Sequence, residues 1–219
     1  MAKLVIFGTG DIARLAHYYF TTDTPHEVVA FTVDRAYRQA DTLLGLPVCD
    51  AEDVRQRYPP DDVAMFVAIS YTKMNRVRAE KYAAMRTAGY QLLTYVSSRC
   101  TYLAPEPPGD NCFILEDNTI QPFVRIGSNI TLWSGNHIGH DSVIEDHCFI
   151  SSHVVISGHV RIGERSFIGV NATLRNGLTI APGTLIGAGS VIMKDTKANG
   201  VYMPERAKLF PKSSDEIDL

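Results

Sequence analysis

Residues 114–192 read ILEDNTIQPFVRIGSNITLWSGNHIGHDSVIEDHCFISSHVVISGHVRIGERSFIGVNATLRNGLTIAPGTLIGAGSVI. Every sixth residue is Ile or Leu: Ile114, Ile120, Ile126, Leu132, Ile138, Ile144, Ile150, Ile156, Ile162, Ile168, Leu174, Ile180, Ile186 and Ile192. No insertion breaks the register. Four residues after most anchors stands a small or β-branched residue, such as Val124, Ser142, Val154, Ala172 or Thr184. Glycine follows the anchor directly at Gly127, Gly139, Gly163, Gly169 and Gly187. Laid on the two-residue alternation of a strand, a period of six points residue i+4 and the next anchor inward together, with a corner at i+2. Three such edges close a triangular coil of eighteen residues, and coils stack at roughly 4.8 Å. The fourteen hexads make between four and five coils. One coil cannot bury its own apolar side, so such repeats come in arrays. Strands of a sandwich keep no strict period of six. A parallel β-helix of hexapeptide repeats is the expected fold of this half.

Ahead of the repeat the pattern changes. Leu4-Val5-Ile6-Phe7 reads as a buried strand ending in Gly8-Thr9-Gly10, followed by a helical pattern through Ile12, Leu15, Ala16 and Tyr19. Val28 to Phe31 is a second strand ending at Asp34, Val63 to Ile69 a third, and Tyr90 to Val96 a last, with a helix of mixed charge from about Asn75 to Thr87. Strands alternating with helices predict a parallel sheet covered by helices. The expected organisation is therefore an α/β Rossmann-like domain over residues 1–97 and a β-helix domain over 98–219. Ala104 to Asp110 is a linker or cap. The tail after Pro211 is charged and expected to fray.

Composition narrows the function classes. The chain of 219 residues is 45% hydrophobic and 21% charged, with a net charge of -3. It has no basic footprint for nucleic acid and no apolar run long enough for a membrane span. Cys49, Cys100, Cys112 and Cys148 lack CxxC spacing and read as free thiols of a reducing, cytoplasmic setting.

Gly8-Thr9-Gly10-Asp11-Ile12-Ala13 fits G-x-G-x-x-A between a strand and a helix. Such a turn brings backbone N–H groups to phosphate oxygens at a helix N-terminus. Asp34, at the end of the second strand, could bind ribose hydroxyls. With about four strands in the domain, a nucleotide or nucleotide-sugar fits better than NAD. A glycine turn that only packs helix on sheet is the competing reading. In the repeat, His137, His140, His147, His153 and His159 cluster. Zinc on such a solenoid needs two histidines five residues apart, and no pair has that spacing, so no metal is expected. His140 falls at a corner, pointing outward, with Asp141 beside it to orient the imidazole and raise its basicity. Asp141 also has His159 eighteen residues on, one coil away. That leaves a rival pairing open, and most exposed solenoid histidines are merely solvated.

The order of these features (Gly-x-Gly domain, Asp34, Ala68-Ile69-Ser70, then hexads with His140-Asp141) resembles the nucleotide-sugar N-acetyltransferases of the bacillosamine and perosamine type. The sialic acid O-acetyltransferases are close cousins. The resemblance spans nearly the whole chain. It implies a left-handed β-helix, a homotrimer with active sites between subunits, and acetyl-CoA as co-substrate without a metal. The general base would fall on His140, and Asp141 would raise its basicity. Contacts to a nucleotide-linked amino sugar would fall on Thr9, Gly10, Asp11, Asp34, Arg35 and Ser70, beside Gly8. Contacts to acetyl-CoA would fall on Phe149, Val170, Ala188 and Gly189. Three places depart from the family pattern. Phe149 stands where a second histidine is usual, Ser70 replaces a glycine, and Met203 to Lys208 carries two extra residues. Transfer to a hydroxyl, or a non-catalytic scaffold, are the alternatives. The glycine turn with Asp34 favours a nucleotide-linked acceptor, and a scaffold needs neither that turn nor His140-Asp141.

Overall fold

The computed structural model describes residues 1–217. It opens with β1 (Lys3–Phe7), α1 (Asp11–Asp23), β2 (Glu27–Val33), β3 (Thr42–Leu43), β4 (Leu46–Asp50), α2 (Val54–Arg57), β5 (Ala64–Val67) and α3 (Arg76–Thr87). The sheet order is β3-β4-β2-β1-β5, parallel except for the antiparallel β3–β4 pair. β1 lies inside the sheet, between β2 and β5, and its continuous apolar run is what a strand covered on both faces requires. Leu4 and Ile6 pack with Ala13, Ala16 and Phe20 of α1, while Val5 and Phe7 face Val54 and Tyr82 on the other side. Gly8 has φ of 127°, and a Cβ there would stand 2.6 Å from the carbonyl oxygen of Ala68, so only glycine closes this turn.

Two expectations for this sheet are corrected. The hairpin β3–β4 adds strands that the apolar pattern did not announce. Tyr90 to Val96 is not a strand of this sheet: it makes one isolated bridge, Met65 to Leu92, and Tyr95–Val96 then pairs with Phe113–Ile114 of the coil. An apolar segment needs a partner edge, and the nearest one here is the first rung of the solenoid.

From Phe113 to Ile192 the chain forms two-residue strands, and from Phe113 to Leu174 each pairs with the strand eighteen residues on. The first face holds Phe113–Ile114, Thr131–Leu132, Phe149–Ile150, Phe167–Ile168 and Leu185–Ile186. The second holds Thr119–Ile120, His137–Ile138, Val155–Ile156, Thr173–Leu174 and Val191–Ile192. The third holds Arg125–Ile126, Val143–Ile144, Arg161–Ile162 and Thr179–Ile180. All fourteen anchors are buried, none above 7% exposure. Each contributes roughly 1.5–3 kcal/mol relative to exposure. Asn118 and Asn136 also lie inside the prism, where they bond the carbonyls of Leu115 and Trp133 and the amides of Asn136 and Val154.

The corners have one conformation. Residue i+3 is left-handed at Asp117, Phe123, Asn129, Asp141, His147, His153, His159, Arg165 and Asn171, with φ between 56° and 68°. Asn, Asp and His tolerate that region best, which accounts for three of the five clustered histidines. The glycine after the anchor serves closeness instead. A Cβ on Gly139 or Gly169 would come within 2.5 Å of the next coil's amide nitrogen, at Gly158 or Ala188.

The α/β part sits on the first face. Phe113 and Leu115 share a core with Phe20, Phe66 and Tyr95. The side-chain amide of Asn111 exchanges bonds with the Val67 backbone. Beyond the coil, Val201–Tyr202 closes the first face against Leu185–Ile186. The tail, expected to fray, carries one short turn, Ser214–Glu216, with a capping box between Ser213 and Glu216. Among the described residues no helix is long and apolar enough to cross a membrane.

Candidate functional site

Two places gather the groups expected at the site. The first is the corner after Ile138, on the edge between the second and third faces. Glycine at 139 and the left-handed Asp141 (φ 57°) turn the chain there, so adjacent side chains can meet. His140 Nδ1 lies 2.8 Å from Asp141 Oδ2. A carboxylate only accepts, so a neutral His140 holds its proton on Nδ1 and keeps the Nε2 lone pair free. The amide of His140 donates to Gln121 Oε1 at 2.9 Å, and its carbonyl accepts from the amide of His159 at 2.9 Å. Both bonds fix the corner from the coils on either side. His159 Nε2 stands 4.0 Å from Asp141 Oδ2, and the two imidazoles meet edge to face at 5.0 Å. Asp141 therefore hydrogen-bonds His140, and His159 is the outer neighbour. Gly158, beneath the ring, leaves the room it needs: a Cβ there would be 2.7 Å from His140 Nε2.

The second place is a cleft of about 820 Å³ between the α/β part and the first face. Of the expected acceptor-binding residues, Gly8, Thr9, Gly10, Asp11 and Ser70 line it. Gly10 caps α1 with no side-chain bond, so the first-turn amides of this thirteen-residue helix remain available to an anion. Phe149 and Val170, expected at the cofactor, line the same cleft. Ala188 and Gly189 do not line it. They sit one coil further along the same edge, where the Gly189 amide donates to Val170. Asp34 and Arg35 also lie outside it. Asp34 pairs with Lys81 at 2.5 Å, and Arg35 is held by Asp50 at 2.7 Å and Asp53 at 3.2 Å. Asp34 is thus committed to a cation of α3, and Arg35 to two carboxylates at and just after the end of β4.

An aromatic ladder on the first face went unread in the sequence. Phe149 stacks on Phe167 at 5.7 Å and on Trp133 at 6.0 Å, and Tyr71 caps both phenylalanines at about 5 Å. The eighteen-residue period already aligns Phe149 with Phe167, so that part of the signal was present. Phe149, the residue standing where a histidine is usual, is buried in this stack. Tyr71 is followed by three consecutive left-handed residues, Lys73, Met74 and Asn75, with φ of 51°, 54° and 63°. Asn75 holds the strained run in place, its side-chain Nδ2 donating at 3.2 Å to the carbonyls of Arg165 and Ser166.

The five-residue spacing is absent, yet His140, Asp141 and His159 each offer a ligand atom within 4.8 Å of the others. Cleft and corner do not merge in one chain. The cleft opens along the first face toward Ser151, Ser152 and Val170, whereas His140 stands one edge further round the prism.

Residues 124–158 and 159–194 match the bacterial transferase hexapeptide family (six repeats). No curated protein sequence matches the chain. Among solved structures, it is similar to the acetyltransferase domain of PglB from Neisseria gonorrhoeae FA1090, with 22% identity and a TM-score of 0.83, over 96% of this chain and 100% of that one. It is also similar to a His-to-Asn variant of perosamine N-acetyltransferase from Caulobacter crescentus, in complex with CoA and GDP-perosamine. That match has 23% identity and a TM-score of 0.79, covering 97% and 98% of the two chains. WeeI from Acinetobacter baumannii AYE aligns at 22% identity and a TM-score of 0.77, over 92% and 96%. The shared fold is an α/β domain followed by a left-handed parallel β-helix, an exception to the right-handed crossover rule.

Proposed function

We propose that the chain transfers an acetyl group from acetyl-CoA to the amino group of a nucleotide-linked amino sugar, with His140 as general base. The observation that carries this reading is the His140–Asp141 contact of 2.8 Å, which leaves Nε2 open above Gly158. The cleft supplies what the acceptor needs: amides at the start of α1 for phosphate, and the aromatic ladder for a flat or apolar group. Similar folds hold CoA and GDP-perosamine, which agrees with this pairing.

In the reaction, the neutral amine attacks the thioester carbonyl and its proton passes to His140 Nε2. The tetrahedral intermediate then collapses, expelling the CoA thiolate, which takes that proton back from His140 Nε2 and restores the neutral imidazole. Asp141 steadies the imidazolium throughout. Gly158 presents its amide N–H at the same corner, with no backbone acceptor among the described residues, and suits the developing oxyanion. Because cleft and corner occupy different edges, the reading includes a homotrimer in which one subunit's cleft meets a neighbour's His140.

The test is an assay of CoA release from acetyl-CoA with a panel of nucleotide-linked amino sugars. Release with at least one amine acceptor, reduced about 10²–10⁴-fold by His140→Asn, is expected, with the trimer mass unchanged. No release with any acceptor overturns the reading. Release with hydroxyl acceptors only would reassign it to O-transfer.

A further inference from the structure

We propose that His140, Asp141 and His159 form a binding site for one divalent transition-metal ion of the Zn²⁺ class, and that an ion there silences His140. The donors are two imidazoles and a carboxylate, a set that suits such ions. Their ligand atoms all lie within 4.8 Å of one another. His140 Nδ1 and Asp141 Oδ2 are 2.8 Å apart, and Asp141 Oδ2 and His159 Nε2 4.0 Å. Ligands of a tetrahedral Zn²⁺, each at about 2.0–2.2 Å, stand roughly 3.3 Å from one another. These two pairs bracket that value and the third lies within 4.8 Å, so side-chain shifts on the order of 1 Å close the site.

The backbone holds the donors ready. Asp141 and His159 occupy successive left-handed corners of one edge, both at φ 57°. The His159 amide bonds the His140 carbonyl across the coils, so the spacing is set by stacking rather than by side-chain rotamers alone. Three protein ligands leave a fourth position for water or another ligand. The pattern i, i+1, i+19 exists only through the coil, which is why the linear spacing of histidines misses it.

Occupation changes the imidazole without any net proton gain. An ion on Nδ1 of His140 replaces the proton shared with Asp141. The one proton of the neutral ring must then sit on Nε2, and the lone pair that would accept from the amine is gone. This inhibitory half rests on the acetyl-transfer reading; binding does not.

The experiment uses the full chain, freed of metal, with Zn²⁺ in competition with a chromophoric chelator. We expect one ion per chain, and at least a tenfold weaker affinity in His159→Asn and in Asp141→Asn. Asn keeps the left-handed corner, and circular dichroism verifies the fold. Co²⁺ should give visible tetrahedral absorption in the parent and not in His159→Asn. No binding by the parent, or equal affinity in both variants, overturns the proposal. A parallel measurement compares acetylated product, separated by chromatography, with and without one equivalent of Zn²⁺. Loss in the parent but not in His159→Asn supports silencing; equal ratios overturn it. Absence of product under all conditions refutes the transferase reading and leaves the binding result to stand on its own.

Discussion

Two edges of the prism share one backbone and differ in what covers them. On the edge between the third and first faces, His147 sits left-handed at φ 65°, its ring bonded to Asn129 and packed edge to face on Tyr82. The Arg78 guanidinium of α3 plugs this edge. It donates to the carbonyls of Asn129, His147 and Cys148 and to Asn75 Oδ1. Among the described residues no carboxylate pairs with it and its Nε has no partner, and burial pulls its pKa down to about 10. On the edge between the second and third faces the same corner geometry carries exposed His140, Asp141 and His159. A left-handed corner therefore selects a histidine for its backbone alone. The open edge differs in two ways: it stays uncovered, and there a histidine at i+2 precedes a left-handed aspartate, His140 before Asp141.

The comparison breaks most sharply at the open edge. His140→Asn should lower turnover about 10²–10⁴-fold while shifting stability by no more than about 0.5 kcal/mol, as steady-state kinetics and thermal melting will report. The covered edge should behave in the opposite sense. Arg78→Ala leaves the carbonyls of Asn129 and His147 unbonded, that of Cys148 with the Thr131 amide alone, and a cavity, costing about 3 kcal/mol or roughly 6–12 °C in melting temperature. Its turnover at low temperature should stay within about threefold of the parent. A large kinetic loss would show that the clamp also shapes the site.

Gly158→Ala sharpens the open edge alone. The new methyl, 2.7 Å from Nε2, displaces the ring and should reduce turnover about 10–100-fold with melting little changed. The smallest effect is on pH. Burial lowers the pKa of His147, and also those of His17 and His26. A histidine with a depressed folded pKa takes its proton first in the unfolded chain, so stability falls as pH drops below about 6.5. His147→Asn should flatten part of that acid slope in melts between pH 5 and pH 7, and His17 and His26 should retain the rest.

The fold of the second half was legible because each Ile or Leu repeats one interior environment. The placing of His140 and Asp141 at one corner was legible for the same reason, but the count left His159 as a rival partner, and the 2.8 Å contact decides between them. What escaped the sequence depends on contacts between distant segments. Asp34 ends a strand, as a ribose-binding acid would, but Lys81 on α3 reaches it. Tyr90 to Val96 has a strand's composition, yet composition does not say which edge it joins. Leu46–Asp50 is short and holds Pro47, which weakens the strand signal. Arg78 belongs to a helix of mixed charge and reads as a solvated face; only the docked coil makes it a clamp. The aromatic ladder needed the coil to be laid out before Phe149 and Phe167 could be set side by side.

The unbroken register of the coil also restricts how this protein can change in length. A single residue gained or lost between Ile114 and Ile192 would turn every later side chain out of phase, emptying the interior and scattering each edge. Six would preserve the interior but hand each face's role to its neighbour, and part His140 from His159 if they fell between the two. Eighteen, one whole turn, would preserve both. Insertions and deletions in this half are thus quantised by geometry, and the number of turns beyond His159 is a dimension that can be altered while the chemistry stays where it is.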